Sequence, residues 1–267
     1  MKNLFPVLLL ISHLAFSQQY KTRPVTGLLG AFGAEVALVK QSLKNPKTVV
    51  VDGVSFTTGR IGKQQVVVAE TGIGKVNAAM TTALMLNYFR PERILFTGIA
   101  GGTNPDLQPG DIVIARQTAH HDYQSITMDR KPTRQTYSLS GKVNPAFFLA
   151  DSVMLSRAQT TARSVAFEPI PLTTRPPTVI TGIVVTGDQF ISSAEKVTQL
   201  RQAFNADATE MEGAAVAQVC YQMQVPHLVI RSLSDRADDN ARNDMLSFYQ
   251  TAARNSAKLV LAIVEGL

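Results

Sequence analysis

The stretch ATEMEGAAVAQVCYQMQVPHLVIRSLSD, Ala208 to Asp235, decides the fold. Ala208 to Met211 reads as a short strand. Glu212 to Gln222 places Ala215, Val216, Val219 and Cys220 on one face at helical spacing. Pro226 to Leu233 then reads as a largely apolar strand around Leu228-Val-Ile230, the pattern of a strand buried on both faces. Strand, helix and buried strand in such quick succession form the unit from which parallel α/β sheets are built.

The same alternation extends outward in both directions. Val25 to Ala31, Val49 to Thr58, Gln64 to Glu70, Arg93 to Thr97, Asp111 to Thr118 and Val179 to Thr186 read as strands. Glu35 to Leu43, Lys75 to Phe89, Pro145 to Thr161, Ala194 to Phe204 and Ser247 to Val264 read as helices. Residues 124–143 and Leu172 to Pro177 read as loops, being polar, basic or rich in proline. No linker, repeat or low-complexity block interrupts the pattern. The prediction is one α/β domain with a largely parallel sheet flanked by helices on both faces.

Composition agrees with a compact fold. The chain has 267 residues, of which 45% are hydrophobic and 17% charged, enough apolar surface to offset the entropy of ordering. One cysteine excludes an internal disulfide framework. Cys220 lies on an apolar helical face and reads as a buried, inert thiol. The net charge is +6, and residues 116–177 hold eight Lys or Arg against four acids. That excess lies in loop-rich sequence without a basic helix or a recognised nucleic-acid module, so it reads as solvated surface and no nucleic-acid partner is expected.

Residues 1–17, MKNLFPVLLLISHLAFS, have a charged start, an apolar run from Leu4 to Phe16 and a small-x-small ending at Ser17. This is the three-part pattern of a secretory signal peptide. The run is shorter than the ~20 residues a bilayer span needs. Residues 18–267 are then expected as the mature catalytic domain, periplasmic or secreted, without a stable membrane anchor.

Several short motifs fail. Gly27, Gly30 and Gly33 are spaced G-x-x-G-x-x-G, which is not the dinucleotide fingerprint. Gly72-Ile-Gly-Lys75 ends like a P-loop, but Val76 stands where a hydroxyl should meet magnesium. His120 and His121 are adjacent on a strand and point to opposite faces, so no shared metal is expected. What remains is a set of acids at strand ends, where open α/β sheets bind ligands. These are Glu35, Glu210, Glu212 and Asp235, accompanied by Thr97-Gly-Ile-Ala-Gly-Gly102, read as a glycine-rich turn.

These residues carry a family resemblance. GLLGAFGAEV (27–36), ETGIGKVNAA (70–79), FTGIAGG (96–102), GDIVIA (110–115), TGDQFI (186–191), ATEMEGAAVAQVC (208–220) and RSLSDRAD (231–238) occur in order. The chain resembles the nucleoside phosphorylase superfamily, and within it the methylthioadenosine/S-adenosylhomocysteine nucleosidases. The resemblance implies a mixed sheet of about nine strands, a homodimer, and cleavage of the N-glycosidic bond of an adenine nucleoside without metal or organic cofactor.

The resemblance also implies roles. Asp235 matches the acid that protonates purine N7, and Glu35 the base that holds the attacking water, with Arg231 nearby. Glu212 matches the carboxylate that accepts both ribose hydroxyls, and Met211 packs on the sugar. Phe190 matches the ring that stacks on adenine, while main-chain groups of Phe190 and Ile191 meet the base edge. Ile99 departs from the pattern, standing where bacterial nucleosidases commonly carry serine. Phe32 and Met245 stand at the alkylthio pocket. The stretch from Leu155 to Pro177 is longer than usual and is expected to reshape the site mouth. Two other readings stay open: a purine nucleoside phosphorylase, which needs cations for phosphate, and a nucleoside-binding protein without catalysis. The first glycine turn holds Ala31, Phe32 and Gly33 rather than an early arginine pair, which favours water as nucleophile.

Overall fold

The computed structural model describes residues 25–127, 130–171 and 173–267. The expected signal segment, residues 1–17, lies outside the described residues.

Strand β1 (Val25–Gly30) leads into α1 (Gly33–Gln41), then the meander β2 (Lys44–Val51), β3 (Val54–Ile61) and β4 (Gln64–Glu70). Helix α2 (Lys75–Phe89) crosses to β5 (Arg93–Gly102), followed by β6 (Ile112–His120). Short strands β7 (Ser125–Thr127) and β8 (Arg130–Thr133) pair with each other, and β9 (Phe148–Leu149) pairs with β6. The remainder runs α3 (Ser152–Ala162), β10 (Val179–Thr186), α4 (Ala194–Phe204), β11 (Ala208–Glu210), α5 (Gly213–Gln222), β12 (His227–Asp235) and α6 (Ala241–Glu265).

Ten strands make one mixed sheet in the order β11-β10-β6-β12-β5-β1-β4-β3-β2, with β9 on β6. Strand β11 also pairs antiparallel with β5, so β5, β12, β6, β10 and β11 close into a ring. Both faces are covered because alternate side chains of a strand point to opposite sides. In β4, Val66 and Val68 pack toward α1, α3 and α6, while Val67 and Ala69 pack toward α2 and α5. Leu28 and Leu29 of β1 divide in the same way. A third cluster joins α4 (Leu200, Phe204) to Ile183, Val185 and Ile191.

The structure corrects several sequence readings. Val49 to Thr58 is not one strand but the hairpin β2–β3, turning at Asp52 and Gly53, both at positive φ. Such a pair is a favoured two-residue hairpin turn. Residues 97–102 are no turn: β5 runs through them to pair with β12 and β11. The helix expected from Pro145 starts only at Ser152, because β9 intervenes and Asp151 caps α3 through Met154 N at 2.9 Å. Residues 124–143 include β7 and β8. Helix α6 begins at Ala241, six residues earlier than the apolar pattern implies, which places Met245 on its first turns.

Candidate active site

The carboxyl ends of β1, β5, β11 and β12 open onto one cavity of about 320 Å³. Glu35 reaches it from the first turn of α1, Glu212 from the start of α5, and Asp235 from the last residue of β12. Phe32, Ile99, Phe190, Met211 and Met245 line the same cavity. Ile191 lines a smaller adjoining pocket together with Phe190, Met211 and Asp235.

Glu35 is buried, and its carboxylate turns back over its own helix start. Oε2 accepts from Ala31 N–H, and Oε1 from Ile99 N–H at 2.8 Å. The side chain fits because Gly98 has none: a β-carbon there would lie 2.6 Å from Glu35 Oε1 and 2.9 Å from Arg231 Nη1. Burial raises the Glu35 pKa to about 7, against the pull of Arg231 and the two backbone donors. Asp235 accepts from Ala237 N–H at 2.8 Å and from the Ser234 hydroxyl at 2.6 Å. Burial raises its pKa to about 6. Glu212 accepts from Gly74 N–H at 2.8 Å, and burial, with the nearby Glu210 charge, raises its pKa as well.

Glu210 also lines the cavity, yet its bonds face inward. It accepts from Glu212 N–H at 3.1 Å, Gly213 N–H at 2.7 Å and the Thr186 hydroxyl, and so caps the start of α5. An anion suits that helix end. Arg231 Nη2 donates to Glu210 Oε2 at 2.7 Å, and its guanidinium lies 4.0 Å from the Phe96 ring centre. Of the expected site residues, Arg231 is the one that lines neither pocket; it lies behind Glu35, beneath the cavity wall.

Residues not singled out from sequence complete the wall. Ile73 arrives from the loop before α2, and Leu246 and Tyr249 share a face of α6 with Met245. The Phe32 and Tyr249 rings meet at 6.1 Å. This end of the cavity is apolar. Among the described residues no lysine or arginine lines the cavity, and no group of three His, Cys, Asp or Glu is arranged to hold a metal. His120 Nε2 meets Gln218 at 3.0 Å while His121 packs against Gly187, so the two rings diverge. The 155–177 stretch does not reach the mouth: none of its described residues lines the cavity, and Glu168 is tied instead to Arg254 and Lys258 of α6. Cys220 is fully buried, which pushes its thiol pKa up.

Comparison with known proteins places this architecture. The family profile described as the phosphorylase superfamily matches residues 25–265. A 5′-methylthioadenosine/S-adenosylhomocysteine nucleosidase of Listeria monocytogenes is 37% identical over 240 residues, 90% of this chain and 98% of that protein. The solved structure of the nucleosidase of that name from Neisseria meningitidis, in complex with methylthio-immucillin-A, is similar with a TM-score of 0.79 and 35% identity, covering 91% of this chain and 99% of that one. Futalosine hydrolase of Helicobacter pylori is similar with a TM-score of 0.77 and 29% identity, covering 91% and 98%. With the match running from β1 to the last turn of α6, the chain belongs to the phosphorylase superfamily.

Proposed function

We propose that this chain is a nucleosidase: it hydrolyses the N-glycosidic bond of adenine nucleosides such as 5′-methylthioadenosine or S-adenosylhomocysteine and releases adenine. The observation that carries the reading is one apolar cavity lined by four buried carboxylates, three of them (Glu35, Glu212 and Asp235) with a raised pKa, and by no cation among the described residues.

Breaking C1′–N9 sends the bonding electrons to the purine and leaves positive charge on the ribose. A purine anion leaves poorly, so a proton must reach N7. Asp235, held partly protonated near neutrality by burial, is the donor. Glu35 in its ionised form accepts a proton from water as the water oxygen bonds to C1′. Glu212 offers two acceptor oxygens to two adjacent ribose hydroxyls. Phe190, half-exposed at the mouth, stacks on the base, with Ile191 beside it, and Met211 packs on the sugar. Phe32 and Met245 receive an apolar 5′ substituent. The products are adenine and a free reducing sugar.

The test is incubation with methylthioadenosine in phosphate-free buffer. Adenine and reducing sugar are expected in equal amounts. Turnover that requires phosphate and yields a sugar 1-phosphate would instead make the chain a phosphorylase.

Two further elements belong to this reading. Ile73, Val76 and Met80 form an exposed apolar stripe beside the cavity, which supports a homodimer that covers them. The pattern of residues 1–17 supports export, and with it a role in scavenging nucleosides outside the cytoplasm. Export predicts Gln18 as the first residue of the protein recovered from its native host, which mass spectrometry would read.

A further inference from the structure

Helix α2 starts at Lys75 without a cap from its own segment. Two carboxylates from distant elements cap it instead. Glu212 Oε1 accepts from Gly74 N–H at 2.8 Å, and Asp188 Oδ1 accepts from Lys75 N–H at 2.7 Å. Gly74 sits at φ +93°, and a β-carbon on it would lie 3.0 Å from Asp188 Oδ1, so glycine permits the approach.

A third acid closes the arrangement. Asp122, just after β6, accepts from Lys75 Nζ at 2.6 Å through Oδ1 and from Asp188 N–H at 2.8 Å through Oδ2. The Lys75 and Asp122 side chains are only 22% and 15% exposed, so their attraction is less screened than that of a surface pair. Neither residue lines the cavity. Yet the chain of contacts runs from Asp122 to both of its sides. Through Asp188 it reaches the segment 187–190, which ends in Phe190. Through Lys75 and the α2 start it reaches Glu212.

We propose that Asp122 is a positioning residue, which holds Lys75 and the Asp188 amide together and thereby keeps the base-side segment 187–190 and the sugar-side carboxylate of Glu212 in one register. This rests on the reading that Phe190 and Glu212 contact a nucleoside. The latch is made without ligand and acts on groups that grip the substrate before and during reaction. Its loss therefore weakens uniform binding and raises KM more than it lowers kcat.

Three variants test the proposal: Asp122→Asn, Lys75→Met and Lys75→Arg. In the unliganded protein, amide hydrogen exchange at residues 72–76 and 187–191 is expected to speed up in the first two, with the sheet unchanged. With methylthioadenosine, the same two variants are expected to raise KM about tenfold while kcat stays within about twofold. Lys75→Arg, which keeps the charge, is expected to stay near the parent in both readouts. Unchanged exchange at either segment overturns the latch. So does lowered kcat at constant KM with a lowered melting temperature, the mark of a merely structural role. A parent protein that releases no adenine refutes the functional reading alone, because the exchange measurement needs no ligand and still decides whether the latch exists.

Discussion

Arg231 donates to Glu210 at 2.7 Å inside the protein, with the two side chains 1% and 3% exposed. This pair sets Glu210 apart from the other acids at the strand ends. Its charge is met by an arginine and by the start of α5, so it braces the floor of the site. Arg231→Met would leave a buried carboxylate without its counter-charge, at a cost of about 3–5 kcal/mol. Denaturant unfolding should show that loss, and adding Glu210→Gln should recover part of it. A single-variant loss below about 1 kcal/mol would mean that the pair does not brace the site.

The two proposed catalytic carboxylates set the pH dependence. Burial raises Glu35 to about 7 and Asp235 to about 6. The base works ionised, so its active fraction falls as pH drops below the higher value. The acid works protonated, so its active fraction falls as pH rises above the lower one, and the product of the two declines below about 6 and above about 7. The base has the higher pKa, so the limbs overlap and the productive form is a minority at every pH. The expected profile is a narrow bell centred at about pH 6.5, falling about tenfold per unit beyond each limb. A flat profile from pH 5 to 8 would contradict these assignments.

Glu212 is read as the ribose carboxylate. A 2′-deoxy substrate lacks one donor, and its hydrogen bond to this buried carboxyl, whose raised pKa leaves it partly protonated near neutrality, contributes about 1–3 kcal/mol. The parent enzyme should therefore lose about 5–100-fold in kcat/KM on the 2′-deoxy nucleoside. Glu212→Ala should lose less than about threefold between the same two substrates, since the contact is already gone. Equal losses in both proteins would separate Glu212 from the sugar.

Much of this was open to sequence reasoning because strands and helices write different periods. Val179–Thr186, Lys75–Phe89 and Ala194–Phe204 coincide with β10, α2 and α4 to the residue. The β2–β3 hairpin is lost when Val49 to Thr58 is read by β-propensity alone, which passes over the turn signal in Asp52-Gly53. Residues 97–102 look like a turn because glycines usually make one. Here Gly98 instead makes room for Glu35 and Arg231 within a strand. An arginine in the middle of a buried strand does signal an ion pair, but only the fold shows that the partner is Glu210. Tyr249 was within reach, lying one helical turn beyond Met245 on α6. Ile73 was not, because its place depends on a loop bounded by Gly72 and Gly74, both at positive φ.

The central claim, that Asp235 and Glu35 act as acid and base on one bond, is tested most directly by two near-isosteric variants on two substrates. The substrates are methylthioadenosine, whose leaving group needs a proton, and a nitrophenyl riboside, whose leaving group does not. Asp235→Asn should slow adenine release by ~10²–10⁴-fold and affect the riboside far less. Glu35→Gln should slow both by a similar order, since both need an activated water. Circular dichroism should be unchanged in each. If Asp235→Asn impairs the riboside as severely as the nucleoside while the fold is intact, Asp235 is not the leaving-group acid and the assignment of the two carboxylates is wrong.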